Sequence, residues 1–309
     1  MLAIVTESAD AKPVIKQVPK PTVKDGFVVV KIMAAGLNPS DLLNAKGSFP
    51  YTTYPRILGR DWAGVVEEGP SHLVGNAVFG TSGKSLSFDQ DGTFAQYCLI
   101  AENSLTSKPA SLGFIEAASL GIPLTTAQTM LHRAMVKEGD VVLVTGAKGA
   151  VGSAACLLAR QRGCRVLRAY RSAEADVNLT SSASTLKSLT PRPDVILETT
   201  GNLEVLSACV AALANFGRLA FISAPRTGSK QLSIDVLDVY RRQISLLGCN
   251  TLLATPEHAA QQLESIRPDI EAASISENGK QTVTVTLEEA VSFLDGTRPL
   301  SGRCIVSFC

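Results

Sequence analysis

Three glycines, Gly146, Gly149 and Gly152, stand at GxxGxxG spacing between the apolar run VVLVTG and a segment whose apolar positions Val151, Ala154, Ala155, Leu158 and Ala159 follow a helical period. A strand, then glycines, then a helix is the order that a pyrophosphate requires. Without Cβ atoms in the way, backbone N–H groups of the turn, including those of Ala147, Ala150 and Val151, can approach the anion, and the helix N-terminus adds roughly half a positive charge. The glycines alone also fit a tight strand-to-helix turn with no ligand. The next strand ends Arg165-Val-Leu-Arg168-Ala-Tyr170-Arg171-Ser172, with no acid there to accept from a ribose 2′-hydroxyl. Arg171 offers a two-pronged donor, Ser172 a hydroxyl and Tyr170 a face for adenine, a set suited to a 2′-phosphate. The chemistry expected is NADPH binding and hydride transfer. The alternative is that Arg168 and Arg171 only solvate a strand end.

From Asp140 onward the apolar runs VVLVTG, RVLRAY, DVILETTG, RLAFISA and ISLLGCN alternate with helical stretches, the pattern of a doubly wound parallel sheet. Only Ser172 to Asp176 separate RVLRAY from DVNL, too few for a crossover helix, so the adenosine end of a bound cofactor is expected to be more exposed than usual. Before residue 120 short β-like runs are broken about every ten residues by Gly, Pro, Asn and Asp. The last forty or so residues return to short strands, QTVTVTL and GRCIVSF, around a helix near Leu287. The expected architecture is α/β: a Rossmann-type parallel sheet over 122–266 and a mostly β, discontinuous domain made of 1–121 and 267–309.

Lys and Arg total 29 against 28 Asp and Glu, so no net field steers the chain to nucleic acid or to anionic membrane. No window approaches the roughly 20 apolar residues that span a bilayer. Seven cysteines at 98, 156, 164, 209, 249, 304 and 309 show neither a CxxC pair nor regular spacing, which points to free thiols in a reducing, cytoplasmic setting.

Taken together, AAGLNPSDLLNAKGSFP, PRILGRDWAGVVEEG, DGTFAQY, IPLTTAQTML, GDVVLVTGAKGAVG and DVILETTG resemble the medium-chain dehydrogenase/reductase superfamily, in its zinc-independent quinone oxidoreductase and enoyl reductase branch. The resemblance is collinear from end to end and implies a GroES-like substrate domain beside the Rossmann domain. The zinc-dependent branch would carry Cys at Asn38, His and Glu at Arg60 and Asp61, and a further ligand near Pro123; all are absent, as is the four-cysteine structural zinc lobe, so no metal is expected. The resemblance places Asn38 beside the nicotinamide, Thr126 near the phosphates or carboxamide, and Thr200 with Gly201 under the nicotinamide ring. Ser223, Ala224 and Arg226 follow a later strand end in the same crevice, and Arg303 matches a basic position that often reaches the cofactor. Asp41 is equally readable as a substrate contact or as the cap of a helix beginning near Ser40. Relatives often present tyrosines at the positions of Leu43 and Phe49; Tyr51 and Tyr54 lie close by in sequence and could substitute as proton donors, or simply pack.

The reaction expected is hydride transfer to an electron-poor C=C or quinone, with an enolate oxygen held by Asn38 or backbone N–H groups. The rivals are a dedicated enoyl reductase on a carrier-bound or natural-product intermediate, and a protein that binds NADPH without turnover. Relatives commonly pair through the last strand of the cofactor sheet, here ISLLGCN, so a homodimer is a further expectation.

Overall fold

The computed structural model describes residues 1–272 and 282–308. In chain order the strands are β1 (Leu2–Thr6), β2 (Val14–Gln17), β3 (Phe27–Leu37), β4 (Arg56–Ile57), β5 (Asp61–Glu68), β6 (Ala77–Gly80), β7 (Tyr97–Ala101), β8 (Thr106–Ser107), β9 (Val141–Thr145), β10 (Arg165–Tyr170), β11 (Val177–Asn178), β12 (Val195–Glu198), β13 (Arg218–Phe221), β14 (Ser245–Gly248), β15 (Thr282–Val285) and β16 (Arg303–Ser307). The helices are α1 (Pro39–Ala45), α2 (Phe114–Ala118), α3 (Gly121–Arg133), α4 (Ala150–Gln161), α5 (Leu203–Ala212), α6 (Val236–Arg241), α7 (Pro256–Ser265), α8 (Arg267–Ala272) and α9 (Leu287–Leu294).

Two compact units result, one of residues 1–125 with the described residues from Thr251 on, the other Thr126–Asn250. The first is built on β3, whose apolar run FVVVKIMAAGL is long enough to pair β5 along one edge and both β7 and β16 along the other. Val28, Val30, Ile32 and Ala35 of β3 join Trp62, Phe94, Phe293 and Leu294 in one core cluster. Helix α9 starts at Leu287 behind a reciprocal cap, with Glu289 N–H donating to Thr286 Oγ1 at 3.3 Å and Thr286 N–H to Glu289 Oε2 at 3.0 Å.

The second unit is a parallel sheet in the order β11-β10-β9-β12-β13-β14. Its central strands β9 (VVLVT) and β12 (VILE) are buried almost throughout, as continuous β-branched and aliphatic runs must be when both sheet faces are covered. Helix α4 lays Ala154, Ala155, Leu158 and Ala159 on its buried face. Between β10 and β11 the connection is the loop 171–176 with no helix, and the two strands pair in parallel over Ala169↔Val177 and Tyr170↔Asn178. The shortened crossover read from the spacing is therefore present.

The second domain boundary lies earlier than the sequence reading placed it, at 250/251 rather than 266/267. Helix α7 packs on β6 and β8 of the first unit, burying Ala259, Ala260 and Leu263, and Thr106 Oγ1 donates to the Ala260 carbonyl at 3.4 Å. An amphipathic helix following a parallel strand reads the same in sequence whichever unit it joins. The six described cysteines, 98, 156, 164, 209, 249 and 304, are buried and unbridged; Cys309 lies outside the described residues. Among the described residues no helix is long and apolar enough to cross a membrane.

Candidate functional site

Strand β9 delivers the chain to Gly146, which adopts φ +65°, and the Gly149 N–H closes the turn on the Gly146 carbonyl at 2.8 Å. Gly149 caps α4, so the N–H groups of Ala150, Val151 and Gly152 form its first turn and have no acceptor inside the helix. The turn tolerates no larger residue at Gly152: a Cβ there would lie 2.3 Å from the Gly146 oxygen and 2.9 Å from Ala147 Cα. A Cβ on Gly146 would lie 2.5 Å from Thr199 Oγ1.

At the end of β12 a buried acid that the sequence reading passed over organises the second wall. The Glu198 carboxylate accepts from Thr145 Oγ1 at 3.2 Å, from the Thr200 N–H at 2.7 Å and the Gly201 N–H at 3.0 Å, and also from the Thr200 hydroxyl. These bonds hold Thr200 and Gly201 in a tight turn, with Gly201 at φ +67°. A Cβ on Gly201 would lie 2.7 Å from Ser223 Oγ and 3.0 Å from the Ala224 nitrogen, so the ends of β12 and β13 meet here. A Glu closing an otherwise apolar strand, just before TTG, was the available signal.

Beside these turns lies a cavity of about 550 Å³ whose lining includes Gly146, Tyr170, Arg171, Thr180, Ser182 and Thr200. Four predicted residues, Gly146, Tyr170, Arg171 and Thr200, are thus brought together. Thr180, Ser181 and Ser182, which follow β11, form part of its wall. Arg168 and Arg171 part company. Arg168 is engaged by Asp176, whose Oδ2 accepts from its Nε at 3.1 Å and its backbone N–H at 2.8 Å. Arg171 is exposed and, among the described residues, has no such acidic partner. The expectation of no acid at this strand end needs amending, because the loop 171–176 turns Glu174 and Asp176 back toward it, each paired with a cation. Ser172 bends that loop by accepting the Glu174 N–H at 3.4 Å. Arg226 is exposed beyond β13, Thr126 is buried on α3, and Arg303 opens β16 in the first unit, where burial lowers its affinity for a proton.

In the first unit the predicted Asn38 sits at the head of α1, with Pro39 at the first helical position. Its side chain leaves the helix uncapped: Nδ2 donates to Asp61 Oδ2 at 2.9 Å and has a longer contact, 3.4 Å, with the Gly36 carbonyl. Asp41 supplies the cap, Oδ2 accepting the Asn38 N–H at 2.8 Å, while its buried Oδ1 has no hydrogen-bond partner among the described residues. Burial pushes the Asp41 carboxyl up to about 7 against the pull of Arg60, and burial likewise pushes Asp61 up to about 6. Arg60, 2% exposed, donates to Ser40 Oγ at 3.1 Å and to the carbonyls of Ser82 and Gly83 at 2.8 and 3.0 Å. Its guanidinium lies 5.3 Å from the centre of the Phe88 ring, on which Tyr51 and Phe49 also pack. Tyr51 is 46% exposed, its hydroxyl held above the usual phenol range by partial burial and drawn back by Arg60. The Tyr54 hydroxyl is buried without a partner among the described residues. Asn38, Asp41, Arg60, Asp61 and Tyr51 thus share one polar cluster.

That cluster does not suit a zinc ion. A guanidinium and an amide stand where the resemblance asks for imidazole and thiolate, and among the described residues no three His, Cys, Asp or Glu side chains gather as a metal site.

Residues 24–110 match the family model of the alcohol dehydrogenase GroES-like domain and residues 150–265 that of the zinc-binding dehydrogenases. A zinc-type alcohol dehydrogenase-like protein of Schizosaccharomyces pombe is 48% identical over 241 residues, covering 77% of this chain and 74% of that protein. The chain belongs to the medium-chain dehydrogenase/reductase superfamily. It is an oxidoreductase fold of the two domain types that the sequence resemblance implied. The quinone oxidoreductase of Sus scrofa is 39% identical over 158 residues, 48% of this chain and 45% of its own length. Among solved structures, the quinone oxidoreductase of Thermus thermophilus, whose description includes a complex with NADPH, matches all of both chains at 26% identity with a TM-score of 0.79.

Proposed function

We propose that this protein is an NADPH-dependent, metal-free reductase of quinones and of C=C bonds conjugated to a carbonyl. The observation that carries the reading is the glycine turn whose Gly152 admits no Cβ, opening beside a cavity lined by Tyr170 and the exposed Arg171. That turn fits a pyrophosphate, with the N–H groups of Ala150, Val151 and Gly152 toward the anion, and Tyr170 and Arg171 hold the adenosine end. Thr200, Gly201, Ser223 and Ala224 line the path toward the nicotinamide. When bound, the cofactor supplies the hydride.

In the substrate unit Asn38 orients and stabilises. Asp61 anchors one amide hydrogen of Asn38 at 2.9 Å, and the long 3.4 Å contact to Gly36 leaves the other to a substrate carbonyl that is gaining negative charge. Tyr51, exposed at the edge of the Phe49 and Phe88 cluster, donates the proton to carbon when the acceptor is an enone. A quinone product takes its protons on oxygen from water. Relatives named quinone oxidoreductase, and a 2-methylene-furan-3-one reductase of Solanum lycopersicum 35% identical over 161 residues, support both acceptor classes. Small electron-poor molecules are the partners, a second copy pairs along β14, and the buried unbridged thiols suit the cytoplasm. Mixing the protein with NADPH and a panel of quinones and enones tests the reading. NADPH oxidation with at least one class is expected; tight NADPH binding with no turnover on any acceptor would leave a binding protein instead.

A further inference from the structure

Inside the glycine turn, one position before Gly149, stands a lysine that the pyrophosphate reading does not use. Lys148 Nζ lies 2.8 Å from Glu174 Oε2 and 4.8 Å from the centre of the Tyr170 ring. Both contacts place it at the end of β10, beside Tyr170, which with Arg171 lines the cavity; Lys148 itself stands outside that lining. Glu174 reaches it from the loop 171–176, whose shape is set at one end by Ser172 Oγ accepting the Glu174 N–H and at the other by Asp176 gripping Arg168. The glycine turn and the loop after β10 are thus joined by an ion pair across this strand end.

The pair is poorly insulated, with side-chain exposures of 44% for Lys148 and 75% for Glu174. Water competes well for both partners, so the pair is weak and exchanges readily. A ribose 2′-phosphate brings a charge of about −1.5 to −2 and three acceptor oxygens to the same place, and a lysine exchanges one exposed carboxylate for that group with a net gain. Glu204 is the acid among the cavity-lining residues and would oppose the phosphate, as Glu174 would once released. Arg171 and Glu204 are the oppositely charged pair among those lining residues, so a phosphate held there gains from a second cation.

We propose that Lys148 is a specificity residue of the dinucleotide site, leaving Glu174 to bind the 2′-phosphate of NADPH together with Arg171. This rests on the cofactor reading above and adds a residue from the glycine turn, plus a resident competitor. Glu174 makes the choice conditional: it occupies Lys148 when the ribose carries a hydroxyl and yields it when the ribose carries a phosphate.

Calorimetric titration with NADPH, NADH, 2′,5′-ADP and 5′-ADP tests the assignment without turnover. Lys148→Ala is expected to weaken NADPH and 2′,5′-ADP about tenfold, the loss of one charge-assisted contact, while NADH and 5′-ADP stay within about twofold. Glu174→Gln is expected to tighten the two 2′-phosphorylated ligands severalfold, since their competitor is gone, a gain that a merely structural ion pair would not produce. The dependence of log Kd on log salt for 2′,5′-ADP should become shallower in Lys148→Ala. Equal effects of Lys148→Ala on phosphorylated and unphosphorylated ligands would overturn the proposal. So would loss of NADH affinity in Glu174→Gln, which would make Glu174 a ribose ligand. If neither NADPH nor NADH binds the wild-type protein, the cofactor reading itself fails, a result distinct from both.

Discussion

The side-chain amide of Asn38 is held 2.9 Å from the carboxylate of Asp61, and the same carboxylate accepts the Ile122 N–H at the head of α3, at 2.9 and 3.0 Å to its two oxygens. One buried acid therefore fixes a proposed catalytic side chain and closes a helix end. Asp61→Ala leaves the Ile122 N–H and the Asn38 amide unsatisfied and is expected to cost about 1–3 kcal/mol in urea unfolding. Asn38→Ala is expected to lower kcat/KM on an enone by about 100-fold, the scale of losing one oxyanion donor, with NADPH affinity within about twofold. An Asn38→Ala protein with undiminished turnover would remove Asn38 from the chemistry.

Asp41 and Asp61 give the fold a pH dependence of unusual sign. Burial raises both carboxyls, to about 7 and about 6, above the ordinary value of 3.8. Between roughly pH 4 and 7 the folded protein holds protons that the unfolded chain has released, so stability falls as pH rises through this window and levels off above it. Asp41→Asn, which keeps an acceptor for the Asn38 N–H, is expected to gain on wild type steadily as pH rises from about 4 to 7. The gain should reach at least about 1 kcal/mol by pH 8, one pKa unit being worth 1.36 kcal/mol. Parallel stability curves for the two proteins across that range would count against the raised Asp41.

Gly152→Ala places a methyl carbon 2.3 Å from the Gly146 oxygen. Either the turn or the helix start must move, at a cost of about 1–3 kcal/mol. NADPH affinity is expected to fall by tenfold or more, read by tryptophan or nicotinamide fluorescence, and unchanged affinity would place the pyrophosphate elsewhere.

Strand β14 pairs with β13 alone among the described residues, leaving its other edge open. In the same unit Leu246 on β14 and Val236 and Tyr240 on α6 are 37%, 69% and 62% exposed, more apolar surface than a lone edge strand comfortably presents. Sedimentation is expected to show a dimer at micromolar concentration, and Leu246→Lys to shift it to monomer. A wild-type monomer at that concentration would rule out pairing along β14.

Much of this was readable because it depends on neighbours in the chain. The glycine turn, the helix beginning near Ser40, the helix near Leu287 and the missing helix after β10 are all set within a dozen residues. What escaped depends on residues far apart. Arg60 signalled only the lack of a zinc ligand, since nothing in sequence shows that the carbonyls of Ser82 and Gly83 will cradle it. Glu198 looked like the polar end of a strand until Thr145, from β9, came beside it. The same holds for α7, whose partner Thr106 lies 154 residues away from Ala260.

The short loop 171–176 has a practical corollary. By the proposed seating, the adenine rests where a longer crossover would have laid a helix over it, so its outer edge faces water. Coenzyme analogues that carry a dye or a resin linker on that edge should therefore seat as readily as the parent molecule, and a column built on such a linker should retain this protein.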